Sequence, residues 1–224
     1  AAEPRTEAED GCSFFRDRLV VFRSDVLSAS LKAGNNGEYH NHNDLGHFSV
    51  WYKDMPLIVD VGADVYTKKY FSDERYTLWN TRGKGHNAPV FDGLEQQEGK
   101  QYSAALSLEP GSEKVAVCDL SQSYPKQAGI IGFTRTMRFA SGRVSVEDRF
   151  QLRQARKTRI HLLCAIPPRI DGRRILFGEV ALELENLECV SQRKVNTPKT
   201  WSAILPDCSI TELVLEATAE QYRM

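Results

Sequence analysis

The strongest constraint on the fold is a long succession of short, strand-like segments separated by turn residues. Residues 114–120 and 143–152 are predicted to form strands, and polar and apolar residues alternate through 143–147, as expected of a strand with one face in solvent. Turns rich in Gly, Pro, Asp and Ser, such as 110–112 and 171–173, separate these segments. Evidence for helices is thin throughout, so the sequence predicts an all-β fold: a large antiparallel β-sandwich of two packed sheets with few or no helices.

Similar reasoning predicts strands along most of the chain and one domain. Residues 1–11 are acidic, polar and almost free of large apolar side chains, which predicts a linker or frayed terminus before a domain that spans 12–224. A chain of 224 residues can bury a substantial core. The remaining predicted strands are 13–17, 19–24, 26–32, 47–53, 57–61, 103–108, 132–139, 158–166, 174–177, 180–185 and 210–217.

Charge and composition exclude some classes of partner. The chain has 29 basic and 30 acidic residues and a net charge of −1, so no overall field favours nucleic acid or a membrane surface. No apolar run reaches the length of a membrane span. Five cysteines are scattered without a Cys-x-x-Cys pair, and most of them are expected to be buried thiols.

One segment, residues 37–47 (GEYHNHNDLGH), concentrates the candidate chemistry. It holds three of the five histidines of the chain, beside two carboxylates. In an extended strand, His40, His42 and Asp44 would share one face. Histidine is the commonest metal ligand and a frequent acid or base near neutral pH, so the pattern suggests a metal site, an acid/base site or both. Alternatively, the Asn and Asp side chains cap their own backbone in a turn.

Two residues farther along the chain extend the candidate metal site. Asp60 ends an apolar segment, and a carboxylate carried toward the interior needs a metal, a cation or N–H donors as partner. His86 follows in a Gly-His-Asn sequence. With His42 they form the His/Asp/His composition typical of three-ligand zinc sites. His161, by contrast, lies in the middle of an apolar strand and is expected to be a core residue.

Residues 66–80 mix charges with aromatic residues without a clean period, which predicts a long ordered loop or short helix. Cations suit the carboxylates or sulfates of an acidic sugar, and aromatic faces suit its ring. The alternative is an ordinary solvated surface over a half-buried aromatic cluster. The residues concerned are Tyr66, Lys68, Lys69, Tyr70, Phe71, Arg75, Tyr76, Trp79, Arg82 and Lys84.

The order and spacing of these motifs resemble those of one family of enzymes. Residues 40–46, 59–62, 74–76 and 85–87, with Tyr66 and the Asp-Gly pair at 92–93, resemble the C-terminal β-sheet domain of heparinase II/III-like polysaccharide lyases. Those enzymes join an α-helical toroid to a C-terminal antiparallel β-sandwich. The resemblance implies that this chain is the second part alone and that the parent cleaves a uronic-acid-containing polysaccharide, of glycosaminoglycan or alginate type, by β-elimination.

The resemblance also implies roles for individual residues. His40 is similar in position to the substrate-facing catalytic histidine, and His42, Asp60 and His86 are similar to the ligands of a structural Zn²⁺ ion. His47 is a departure, because relatives often have a small residue there; it could compete as a ligand or contact substrate. The implied substrate-binding residues are Tyr39, Asn41, Arg75, Tyr76 and Asn87.

Three functional classes remain open from the sequence. The first is the C-terminal domain of a polysaccharide lyase, inactive when isolated because the family's principal acid/base tyrosine lies in the helical domain. The second is a non-catalytic carbohydrate-binding sandwich with a structural metal, and the third is a zinc hydrolase. Implied partners are an acidic polysaccharide or oligosaccharide, the N-terminal α-helical domain and, in a homodimer, a second copy. The family favours a periplasmic or secreted parent.

Overall fold

The computed structural model describes residues 11–15, 17–111, 113–140, 142–200 and 209–217. Residues 1–10 of the predicted linker lie outside this part, and Gly11 opens the first strand. The strands are β1 Gly11–Phe15, β2 Leu19–Arg23, β3 Leu27–Lys32, β4 Gly34–Asn36, β5 Phe48–Tyr52, β6 Met55–Ile58, β7 Pro89–Phe91, β8 Gly99–Leu108, β9 Lys114–Gln122, β10 Ile130–Ala140, β11 Arg143–Leu152, β12 Thr158–Cys164, β13 Arg169–Asp171, β14 Arg174–Phe177, β15 Val180–Glu183, β16 Leu187–Lys194 and β17 Thr211–Ala217.

Two antiparallel sheets form the body of the molecule, as the sequence predicts. The larger has nine strands, in the order β1-β2-β3-β5-β6-β12-β17-β16 with β7 beside β12, and the smaller has the order β11-β10-β9-β8-β4. The chain crosses from the larger sheet to the smaller one directly after β3, since β4 begins two residues after β3 ends. A third sheet, β13-β14-β15, was not predicted, although two of its strands were.

Alternation of apolar side chains explains why the sheets pack face to face. In β3, Leu27, Ala29 and Leu31 are buried, and the residues between them are only partly buried, as expected when one face meets a core. Rings from both sheets meet inside: Phe91 of β7 contacts Phe133 of β10, with centroids 6.2 Å apart. The core thus fixes the distance between the sheets and the position of the loops at their edge.

Helical structure in the described residues consists of short 3-10 turns and two α-helical residues, Lys199 and Thr200, which confirms the prediction of few or no helices. Four of them fill the segment between β6 and β7, where the sequence predicts an ordered loop or short helix. The turns are η1 Lys68–Phe71, η2 Asp73–Thr77, η3 Trp79–Thr81, η4 Gly83–Gly85 and η5 Lys126–Ala128. No helix in these ranges is long and apolar enough to cross a membrane.

The larger sheet also holds a buried polar cluster remote from the histidine segment. Glu212 of β17 is 1% exposed, with one carboxylate oxygen 2.8 Å from His161 Nδ1 and the other accepting from Arg193 Nε. His161 is buried, as predicted. Burial by itself raises the pKa of Glu212, but the hydrogen bonds from His161 and Arg193 outweigh it and the pKa is lowered.

We expect Glu212→Gln to make the free energy of unfolding depend less on pH between about pH 3 and pH 7. Because the folded-state pKa lies below the unfolded value, the ionised carboxylate stabilises the fold above about pH 4.3, and this stabilisation is lost as pH falls through the folded pKa. The substitution should therefore cost on the order of 1–3 kcal/mol near neutral pH and less near pH 3. Urea unfolding at both pH values measures it, with exposed Glu183→Gln as control. Equal losses at both pH values would contradict the assignment.

Candidate functional site

The histidine segment forms a loop between β4 and β5, not a strand. The expectation that His40 and His42 share a strand face is therefore wrong. His40 has a φ of 59° and is exposed, whereas His42 is buried. The loop turns because Gly46 takes a φ of 76° and packs against Leu120 of the smaller sheet, where a Cβ atom would lie 2.6 Å from the leucine side chain.

The β5-β6 hairpin brings His47 against Asp60, whereas the sequence pattern led us to expect His42 in that position. His47 directly precedes β5 and Asp60 follows β6 by two residues, and His47 Nε2 lies 3.7 Å from Asp60 Oδ2. His86 Nδ1 lies 3.2 Å from the same oxygen. One potential ligand atom from each of the three residues lies within 4.8 Å of the other two. His42 joins them through its ring, whose centroid is 5.2 Å from that of His86.

Burial and charge give the four side chains different protonation states. Burial lowers the pKa of His42 and His47 to about 4, so both imidazoles are neutral at pH 7 and each has one unprotonated ring nitrogen. Burial also acts on Asp60 and His86, but their mutual attraction prevails: the pKa of Asp60 is lowered and that of His86 raised. Two neutral imidazoles thus adjoin an ionised carboxylate.

Asn87 is fully buried and connects the backbone segments that carry this cluster. Its amide nitrogen donates to the carbonyls of Phe48 and Val59, at 2.7 and 3.1 Å, and its oxygen accepts from Leu163 N–H at 2.8 Å. One side chain therefore joins β5, the strand end before Asp60, and β12. These contacts give Asn87 a positioning role; its predicted role in substrate binding stays a prediction.

Arg75 and Tyr76 of η2 hold the loop on its outer side. Arg75 is buried, and its guanidinium donates twice to the Asn41 carbonyl, at 3.2 and 2.7 Å, and once to the Tyr70 carbonyl at 2.9 Å. Tyr76 O–H donates to Asn41 Oδ1 at 2.9 Å. Asn41 lies between His40 and His42, so these bonds fix both histidines. Whether the three residues also touch substrate stays a prediction.

An aromatic ledge, defined as Tyr39, His40, Tyr66 and Phe71, is exposed beside the buried cluster. The His40 ring meets Tyr66 and Phe71 edge-on, with centroids 6.1 and 6.2 Å away. Tyr39 is 99% exposed, Tyr66 51% and Phe71 66%. Lys68 and Lys69 come from the same turn as Phe71. The ledge thus combines a titratable ring with apolar faces and nearby cations.

One known protein family matches most of the chain. The model of the family described as heparinase II/III-like, C-terminal, matches residues 18–211. The chain belongs to this family. The match covers the smaller sheet, the histidine loop, the 3-10 turns and the larger sheet apart from β1 and most of β17, so the family domain and the fold described above coincide over most of their length.

Solved structures share the fold of this heparinase II/III-like domain. A heparinase III with methylated lysines matches 96% of the chain with a TM-score of 0.67 and 16% identity. The heparan sulfate lyase HepC from Pedobacter heparinus matches 92% with a TM-score of 0.67 and 18% identity. The chain spans about a third of each, 34% and 33% respectively. No curated protein matches the sequence significantly.

Two residues that support the histidine loop of this family domain were missed at the sequence level. Gln96 accepts from Leu45 N–H at 3.0 Å and donates back to the Leu45 carbonyl at 2.7 Å, as a neighbouring strand would. Lys32, at the end of β3, forms an ion pair with Asp44. Neither residue belongs to a motif, and Gln96 lies 51 residues from its partner in sequence, so no local pattern points to it.

We expect Arg75→Met to destabilise the family domain, because the carbonyls of Asn41 and Tyr70 would lose their donor. The cost should be about 1–3 kcal/mol in urea unfolding. Exposed Lys68→Met is the matched control and should change stability by less than about 0.5 kcal/mol. Unchanged stability in Arg75→Met, together with weaker saccharide binding, would instead make Arg75 a substrate contact.

Proposed function

We propose that the chain is the C-terminal domain of a polysaccharide lyase that cleaves a uronic-acid-containing polysaccharide, of glycosaminoglycan or alginate type, by β-elimination. The observation that carries the proposal is the exposed His40 on an aromatic ledge, directly beside a buried His/Asp cluster. Family membership supports it, as do structural neighbours that are named heparinase III and heparan sulfate lyase.

In the proposed reaction a base removes the proton at C5 of the uronic acid, and the C5–H electron pair forms a C4=C5 double bond. The C4–O bond breaks, and its oxygen leaves with a proton from an acid. His40 is placed to act on substrate because it is exposed, whereas His42, His47 and His86 are buried. The family resemblance assigns the principal acid/base tyrosine to the α-helical domain, so this chain supplies one wall of the cleft.

The ledge suits the proposed substrate. Sugar rings pack against aromatic faces such as those of Tyr39, Tyr66 and Phe71, and cations attract carboxylate or sulfate groups. Lys68 and Lys69 supply that charge beside Phe71. Since one wall alone binds and such exposed charges contribute little each, affinity of the isolated chain for saccharide should be weak and salt-sensitive, and turnover absent.

The buried cluster fits a structural Zn²⁺ ion. Two atoms bound to one tetrahedral zinc lie about 3.4 Å apart, and His86 Nδ1 lies 3.2 Å from Asp60 Oδ2. The imidazole of His42 is neutral, and its ring lies beside that of His86, with centroids 5.2 Å apart. When bound, the metal would neutralise the carboxylate and order the loop under His40.

Within this centre we propose His42, Asp60 and His86 as ligands, with His47 orienting Asp60. The backbone N–H of Asn87 donates to His47 Nδ1 at 3.5 Å, which leaves the proton of the neutral ring on Nε2, facing Asp60. Such supporting donors commonly hold a metal-binding carboxylate in place. His42→Ala should therefore weaken zinc binding more than His47→Ala does.

We expect the purified chain to bind about one Zn²⁺ ion, and His86→Ala to lose it and melt at a lower temperature, because Asp60 would lose its buried partner. Elemental analysis and thermal unfolding measure the two effects. His40→Ala is the control, since His40 lies outside the cluster, and it should retain the metal. Wild-type protein never exposed to chelator that contains no stoichiometric metal would refute the zinc site.

In the complete enzyme, with the α-helical domain present, His40→Ala should lower turnover at least about a hundredfold, as loss of a positioned acid or base does. The absorbance of the unsaturated uronic product reports the reaction, and zinc content should not change. Phe71→Leu is a matched ledge variant that should affect KM more than kcat. Wild-type enzyme that binds saccharide but forms no unsaturated product would favour the carbohydrate-binding class, and saturated products would favour a hydrolase.

A further inference from the structure

Arg135 is the largest fully buried side chain of the described residues, and it lies on the sheet opposite the metal ligands. It belongs to β10 of the smaller sheet and is 1% exposed. Asp148 of β11 pairs with it in a two-pronged contact, in which the guanidinium Nε and Nη2 each donate to one carboxylate oxygen at 2.6 Å. Burial alone would lower the pKa of Arg135, but Asp148 reverses this and raises it, so the group stays charged.

The remaining donor nitrogen of Arg135 reaches across the core to the candidate site. Its Nη1 donates to the carbonyl of Gly46 at 2.6 Å and to that of Asn87 at 2.7 Å. Gly46 immediately precedes His47, and Asn87 immediately follows His86. The guanidinium carbon also lies 5.1 Å from the centre of the Phe48 ring. One cation thus holds the backbone of both histidine-bearing segments.

Stability alone is a weak explanation for this arrangement. A buried ion pair gains little over a well-packed apolar pair, because its desolvation cost offsets the attraction. Its geometry is specific, however, since a planar guanidinium fixes the direction of each hydrogen bond. Two nitrogens of Arg135 donate to Asp148 and make the pair rigid. The third nitrogen donates to the backbone of the loops.

We propose that Arg135, held by Asp148, is a positioning residue that sets the distance between the His47 and His86 segments and so preorganises the metal centre. The proposal rests on the zinc site of the proposed function. It assigns to the smaller sheet, which contributes no candidate ligand within the described residues, the task of holding the ligand His86 at a fixed distance from His47, which orients Asp60.

The test compares Arg135→Met with a variant that is equally buried but remote from the loops. Met137→Ala lies two positions along β10, is also fully buried, and should lower the melting temperature without touching Gly46 or Asn87. Arg138→Met, exposed on the same strand, controls for loss of a charge. Arg135→Lys keeps the charge but lacks the fork and should restore part of the wild-type behaviour.

The probe is Co²⁺, whose visible absorption reports ligand geometry. We expect Arg135→Met to bind Co²⁺ about 10- to 100-fold more weakly than wild type, as loss of a supporting residue typically causes, with a changed spectrum. Met137→Ala should retain the wild-type affinity and spectrum at a temperature where it is folded. Equal behaviour of Arg135→Met and Met137→Ala would overturn the proposal and leave Arg135 a purely structural residue.

Two results would prevent the Co²⁺ comparison, namely an Arg135→Met variant that does not fold and a wild-type chain that binds no metal, and each has its own alternative experiment. If Arg135→Met does not fold, the comparison passes to Arg135→Lys and Asp148→Asn, which keep the side-chain volume and must still weaken Co²⁺ binding more than Met137→Ala does. If wild-type chain binds no Co²⁺ or Zn²⁺, the zinc site fails, and positioning is read from amide hydrogen exchange. Faster exchange confined to residues 43–47 and 86–88 in Arg135→Lys would support the proposal, and its absence would overturn it.

Discussion

The histidine loop has few strand partners of its own, so side chains from elsewhere must satisfy its backbone. A buried peptide group without a partner costs about as much as a lost hydrogen bond. Gln96 pairs with Leu45 in place of a strand, Arg75 donates to Asn41, and Arg135 donates to Gly46. The site therefore depends on the complete sandwich, since these donors come from the 3-10 segment, the turn before β8 and the smaller sheet.

The histidine loop lies between two different chemical environments, a buried one around His42 and His47 and an exposed one around His40. On the inner side, burial keeps His42 and His47 neutral while Asp60 stays ionised, a combination suited to holding a cation. On the outer side, His40 sits in left-handed backbone conformation among exposed rings. A non-glycine residue in that conformation is uncommon, and here it turns adjacent histidines toward different surroundings.

Under the proposed function, the domain forms one wall of a cleft, with His40 and the aromatic ledge along one edge. Elimination needs a base at C5 and an acid at the leaving oxygen in one geometry. The chain spans about a third of the solved structures it resembles, 34% for heparinase III, and under the proposal the missing groups come from the α-helical domain. A metal that orders the loop would keep His40 in place without taking part in bond breaking.

Local patterns in the sequence predicted most of the strands, though not β4, β7, β13 or β16, because alternation of apolar residues and turn residues act over a few positions. They also singled out His40, His42, Asp60 and His86 as candidate site residues. They did not determine the shape of the histidine loop, which turns rather than extends because Gly46 packs on Leu120. Nor did they show that the hairpin would bring His47 to Asp60, or that the side chains of Arg75 and Asn87 would donate to backbone carbonyls.

The role of Arg135 was likewise decided only by the tertiary structure. Its partners Gly46 and Asn87 lie 89 and 48 residues away in sequence, and packing of the two sheets alone brings them within hydrogen-bond distance.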